Sequence, residues 1–420
     1  MKLWKKEFCS FIRSAVYILF IVLVIVFYCT QFGDRAFKDV KNADKGIQFE
    51  KPSDFDPLIK PVEGMESYGS EYAEVPELVM PELISRLIGD IEINRFATYK
   101  FGFYKGITLS NSELEDARRI VSECTGLEYY QAAQLSSNDM PIVCDYETFK
   151  GKIKELEDMI GDNSNYAYDS YRNIAQKPLT YEEAKEKYEV FIEQDRVSGA
   201  YARLFCDYMN IPALLFSVFV AVAFFMRDKR TGADETIFSS AISSAKLLAV
   251  RYTVCVAALM LPFIVLSALP SAVLSVYGIS KGINVDHFAF LKYVLSWILP
   301  TVMISVSVGA VFTIITGNYS GVVVWFFIGL VSLISCSTGI ASGVFGLSPA
   351  IRFNSLGNYP EFKNKYTEYL TNRCIYFVFA LILFTVAVML YDMERRGMFN
   401  GINIFRKRYM PDKDTDEGAD

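Results

Sequence analysis

The chain has 420 residues, 52% of them hydrophobic and 15% aromatic against 21% charged, and its mean hydropathy is +0.23. Several stretches run for a bilayer's width without a charge, which excludes a wholly water-soluble enzyme. The net charge of −6 is divided unevenly: residues 33–209 carry 34 acidic and 21 basic side chains, a balance of −13, so the remainder sums to +7. An acidic part set against a basic part is what a membrane lying between them produces.

In chain order, the first apolar segment is Ser14–Phe32. It follows a basic start (Lys2, Lys5, Lys6 and Arg13 against Glu7), and no small-residue cleavage site comes after it. It therefore reads as a retained anchor rather than a signal peptide. Five more segments approach the roughly 20 apolar residues that a core of about 30 Å needs: Ile211–Met226, Thr253–Tyr277, Tyr293–Thr316, Gly321–Gly339 and Cys374–Tyr391. None of the six contains Asp, Glu, Lys, Arg or His. Pro270 and Pro300 fall inside two of them and predict kinks. The expectation is an α-helical membrane protein with six transmembrane helices, five and seven being the neighbouring counts. Arg227, Lys229, Arg230, Lys246 and Arg251 follow the second segment, and Arg395, Arg396, Arg406, Lys407 and Arg408 follow the last. With six crossings these share a side with the N-terminus, and the positive-inside rule makes that side cytoplasmic, in the cell membrane.

The division that follows is a cytoplasmic start and first span over 1–32, an extracellular domain over 33–209, the remaining spans over 210–397, and a cytoplasmic tail over 398–420. The outside domain reads as mainly helical, mixed α+β. A capping box at Ser112–Glu115 starts one helix, which stops at Gly126; Thr180–Glu183 starts another running to about Asp195. A third helix is expected over Glu147–Ile160, and "RFATYKFGFYKGITL" reads as one or two strands with a glycine break. The Pro-containing stretch Glu50–Pro81 reads as extended chain.

Little in the chain suggests catalysis. The eight cysteines include no CxxC pair; Cys124, Cys144 and Cys206 fall outside, where Cys124 and Cys144 could form a disulfide or remain buried thiols. His287 is the single histidine, so neither a histidine metal cluster nor a triad can be built. No phosphate loop or dinucleotide fingerprint occurs, and no cofactor, metal or nucleic-acid partner is expected. Fourteen of the 26 tyrosines lie in 33–209, as core packing or as a peptide or glycan surface. The charge-free spans argue against an ion-coupled carrier.

The loop "MRDKRTGADETIFSSAISSAKLLAVRYT" carries the strongest signal. Gly232 breaks the chain, and a short amphipathic helix over about 233–246 follows, with Asp234 and Glu235 in its first turn where the helix dipole favours acids. Ile237, Phe238, Ala241 and Ile242 form its apolar face. Such a helix can lie in the membrane interface or offer an acidic knob to a partner.

This layout resembles the ABC-2 type transporter permeases. Gly232, Glu235 and Ser239–Ser244 match that family's glycine, acidic residue and Ser/Pro-rich turn, although its proline is missing and Ala241 stands there. "SPAIRFNSLG" from Ser348, "NRCIYFVFAL" from Asn372 and "YDMERRG" ending at Gly397 resemble its last-span region. The resemblance covers the membrane part, not the outside domain. It implies a permease with no enzyme activity of its own, exporting a peptide, drug or lipid-like substrate. The ATPase-coupling segment would be Gly232, Asp234, Glu235, Ile237, Phe238 and Ala241, docking on a separate ABC ATPase subunit. A second permease subunit, alike or not, and membrane lipid complete the partners. Residues 340–372 would form short outside helices gating the exit. The competing readings are a membrane sensor or immunity receptor binding an extracellular peptide through 33–209, and a four-span mechanotransmitting permease.

Overall fold

A computed structural model describes residues 2–45, 58–100, 103–337, 347–352 and 356–398. The chain is an α-helical membrane protein. Five helices are long and apolar enough to cross a bilayer: the run from Ala15, Ser198–Phe225, Ser244–Lys281, Ala289–Thr316 and Tyr366–Arg395. A further apolar helix, Ser320–Ser337, is shorter. The expected span Gly321–Gly339, fifth in chain order, therefore falls short of a full crossing in its described part, and Gly339 lies outside the described residues.

The first helix shows how such segments pack. Ser14 caps Ala15–Gln31, its hydroxyl accepting from the Tyr17 amide, and apolar residues run all round. Only Tyr17, Phe20, Val24 and Tyr28 are buried, one stripe at helical spacing, while Ile18, Leu19, Val22 and Val26 face outward, as a lipid solvent permits. Ala289–Thr316 is the central helix, with 83% of its apolar window buried, whereas the last helix, at 11%, is peripheral. A side chain on Gly309 would stand 3.1 Å from the Ala221 Cβ, so glycine is what lets the central helix approach Ser198–Phe225. Hydroxyls and an indole cross-link the bundle: Tyr17 donates to the Ala258 carbonyl at 2.8 Å, Ser307 to the Ala380 carbonyl at 2.8 Å, and Trp325 Nε1 to the Leu214 carbonyl at 3.1 Å. The kink expected at Pro300 takes the form of a π turn, Val294–Ile298, immediately before the proline, whose missing N–H interrupts the ladder. Pro270 sits within the continuous helix Ser244–Lys281.

Residues 58–194 form a domain whose own hydrophobic core, from Val79 to Ala175, is separate from that of the bundle, while Leu58 and Phe191 at its two ends pack into the bundle core. Leu83, Leu87, Ala117, Ile120, Phe149, Ile153 and Leu156 recur every three or four residues along the helices Pro76–Ile93, Asn111–Thr125 and Tyr146–Ile160, and meet in that core. A hairpin pairs Phe96–Lys100 with Phe103–Ile107, so of the one or two strands expected there, two are formed. A second ladder, Ser70–Tyr72 with Gln176–Pro178, ties the start of the domain to its end.

Several boundaries differ from the sequence reading. The capping box of the second core helix is Ser110 with Glu113, not Ser112 with Glu115; Ser112 and Glu115 lie inside the helix. Thr180 with Glu183 caps as expected, and the helical run reaches Gln194, close to the expected Asp195, although its last part, Val190–Gln194, is a π turn. The stretch up to Pro81 is not all extended: helix begins at Pro76 because a first-turn proline has no lost bond to replace. The second span begins at Ser198, inside the segment assigned outside, so buried Cys206 belongs to that helix and not to the domain. Cys124 and Cys144 are free thiols, and burial pushes the Cys124 pKa up.

Candidate functional site

The loop after Ser198–Phe225 lies at the end of the bundle away from the domain, because that helix of 28 residues carries the chain about 42 Å. Arg227–Thr231 forms one turn, and Gly232 ends it in the left-handed region at φ 66°, as expected for a glycine stop. The expected helix over about 233–246 is shorter: Asp234–Phe238 is helical, the chain turns through Ser239–Ile242, and Ser243 caps the long helix from Ser244. Adjacent serines offer the backbone alternative hydrogen bonds, and Ser239 and Ser240 bond back to the carbonyls of Thr236 and Ile237.

The six predicted coupling residues share this loop but not one face. Glu235 and Ala241 are exposed, with Thr236 and Ser239 beside them, and Gly232 is exposed at the bend. Asp234, Ile237 and Phe238 are half-buried, and Phe238 packs edge-on to Tyr391 at 5.7 Å between ring centres. Asp234 turns inward, lining a cavity of about 30 Å³ with Asp228, Arg251, Tyr391 and Glu394. Ala241 therefore leaves the apolar face assigned to it, because the helix has ended before it.

An ion-pair network fixes the loop's root. Arg227 meets Glu7 at 2.8 Å, and Arg251 meets Asp228 at 2.5 Å and Glu7 at 3.5 Å. Burial disfavours the charge on Arg227, but its hydrogen bond to Glu7 and the neighbouring charges of Glu7 and Asp228 together outweigh that and raise its pKa. Glu7 lies on the helix Lys2–Ile12, whose Lys2, Lys5 and Lys6 are exposed, so basic side chains gather at this end. Arg230 also reaches the Tyr319 hydroxyl at 3.0 Å, placing the start of Ser320–Ser337 here.

A second polar cluster lies near the domain end, where the sequence pattern points to none. Arg203 and Asp195 form two contacts, at 2.6 and 2.5 Å, and are almost fully buried, with the Phe362 ring 4.5 Å from the guanidinium. Arg373 is buried among the Trp297 and Pro349 carbonyls, Thr301 and Asn372. Arg203 and Arg373 are outside the charge-free segments as bounded at Ile211 and Cys374, but inside the helices. Buried charge near the membrane is thus present, and the charge-free spans no longer argue against ion coupling. Asn210 and Arg373 both donate to the Pro349 carbonyl and Ser348 bonds Ser332, so residues 347–352 sit at this end of the bundle. Of the expected helices over 340–372, Tyr359–Asn364 is formed; 340–346 and 353–355 lie outside the described residues.

In the domain, Lys150, Lys154, Glu157, Tyr166, Tyr168 and Tyr171 line a cleft of about 240 Å³. Both lysines already pair with glutamates, Lys150 with Glu147 and Lys154 with Glu157, and the Tyr146 and Tyr168 hydroxyls donate to Glu74. Those hydrogen bonds, that from Tyr168 foremost, hold the Glu74 pKa down. The tyrosines here serve packing and internal pairing. His287 is exposed and bonds Ser275 at 2.9 Å, and no group of three metal-ligating side chains exists among the described residues. Compared with known proteins, the chain matches no family model, no curated protein and no solved structure.

Proposed function

We propose that the chain is the membrane permease subunit of an ATP-driven transporter of the ABC-2 type, exporting a peptide, drug or lipid-like substrate. The observation that carries this reading is the loop at 227–243: it is rooted in buried ion pairs yet turns Glu235, Thr236, Ser239 and Ala241 outward. A plain interfacial helix has no need of such a root. ATP hydrolysis belongs to a separate subunit that docks on this loop, and a second permease, alike or not, completes the transporter. Six crossings fit the contacts, with Ser320–Ser337 running between Tyr319 at the loop end and Ser348 at the domain end. Both termini then share the cytoplasmic face of the cell membrane with the loop, where Lys and Arg gather. The test is affinity purification of the tagged chain from its own membranes. Co-purification of an ATP-binding subunit supports the reading; a chain recovered without one contradicts it, and a sensor acting through the 58–194 domain then moves ahead.

A further inference from the structure

We infer that Arg395, at the end of the last helix, is the positioning residue that shapes the docking loop and ties it to that helix. The inference rests on the loop being the docking surface. A helix of five residues is far below the length that holds itself in water, and the turn after it leaves its carbonyls without a ladder. Three of these carbonyls converge on one guanidinium: Arg395 donates from Nε to Phe238 at 2.9 Å, from Nη2 to Ser240, and from Nη1 to Ile242. A planar fork with five N–H groups suits three acceptors spread along a turn, whereas a lysine offers one ammonium.

The neighbours of Arg395 make the same connection. Tyr391, one turn earlier, packs on Phe238; Asp392 accepts from the Ser244 hydroxyl at 2.9 Å; Glu394 pairs with Lys229 at 2.6 Å. Residues 391–395 thus grip the loop at both roots and at its turn. Because the grip uses backbone carbonyls and the inward side chains, it leaves Glu235 and Ala241 free to face a partner. A push on that face reaches the last helix, which packs against the buried central helix through Ser307 and the Ala380 carbonyl. The last helix is therefore the first to receive the movement.

Two readouts on the full-length chain test this. Hydrogen exchange of the purified chain alone reports loop order. The Ser239 and Ser240 amides, bonded to the Glu235 and Ile237 carbonyls, should exchange about tenfold faster in Arg395→Ala and by an intermediate factor in Arg395→Lys. Arg396→Ala, which removes an exposed partner of Asp392, should leave them unchanged. Recovery of the ATP-binding subunit should fall about tenfold in Arg395→Ala, at undiminished membrane abundance, and less in Arg395→Lys. Unchanged exchange in both Arg395 variants overturns the clamp. Faster exchange with full recovery overturns its role in docking. A wild-type chain that recovers no ATP-binding subunit overturns the docking reading instead, and exchange still decides whether the clamp exists.

Discussion

Both ends of the bundle use arginine to fasten a segment outside the spans, but they do so in different surroundings. At the domain end Arg203 is 2% exposed and Asp195 1%, and aromatic rings of Tyr293, Tyr359 and Phe362 close over them. At the loop end Arg227 is a third exposed, and Arg395 grips carbonyls rather than a carboxylate. Losing one member of a buried pair strands the other charge without water, so the domain end is a permanent joint. At the loop end the Arg251–Asp228 pair is buried too, but around Arg227 water can take the place of a broken hydrogen bond, which suits a surface that must meet and release a partner. The same residue type builds an anchor in one place and an adjustable mount in the other.

The largest effect should come from breaking the anchor. Arg203→Ala should cost about 3–5 kcal/mol of stability, read by denaturation of the purified protein, because Asp195 is left charged and buried. Replacing both at once, Arg203→Met with Asp195→Leu, should cost less than the single change. If the double variant loses as much or more, packing rather than charge holds this end.

The domain offers a contrast that involves no charge. Residues 58–194 should melt cooperatively as a separate fragment, and Ile153→Ala should destabilise it by about 2–5 kcal/mol, since Ile153 is fully buried in a core distinct from the bundle's. A fragment without a cooperative melt would mean that the domain borrows stability from the bundle.

A smaller, pH-dependent effect belongs to Glu183. Its hydrogen bonds to Lys177 and to the Thr180 amide lower its pKa from 4.5 to about 2. The folded form binds this proton more weakly than the unfolded chain, so the stabilisation is complete above about pH 4.5 and is lost as pH falls towards 2. Glu183→Gln should flatten that part of the domain's melting-temperature profile. An unchanged profile would assign the acid sensitivity to other carboxylates.

How much of this could be read from the sequence depended on which force decides each element. Apolar length located the membrane helices because a bilayer demands it, and the Thr180–Glu183 cap was legible because its hydrogen bonds are local. The competing serines at 110 and 112 misplaced the other cap by two residues; both fit the pattern, and packing of Leu114 and Ala117 chose between them. The polar layer at Arg203 and Arg373 was hidden because hydropathy marks where apolar residues end, while helices continue wherever their charges find partners. In the loop, Gly232 and the acidic turn were visible, but the grip of Arg395 joins residues more than 150 positions apart, and no local pattern carries it.

The central claim is that the outward face of this loop is a docking surface, and one comparison tests it directly. Recovery of the ATP-binding subunit should be measured with the wild-type chain, Glu235→Lys and Glu182→Lys, at matched membrane abundance. Both glutamates are exposed, one on the loop and one on the domain. Disrupting a side chain at the centre of a small interface costs on the order of 1–3 kcal/mol, so Glu235→Lys should lower recovery about tenfold or more while Glu182→Lys leaves it unchanged. Equal recovery with all three chains would contradict the account and leave the loop as an interfacial helix.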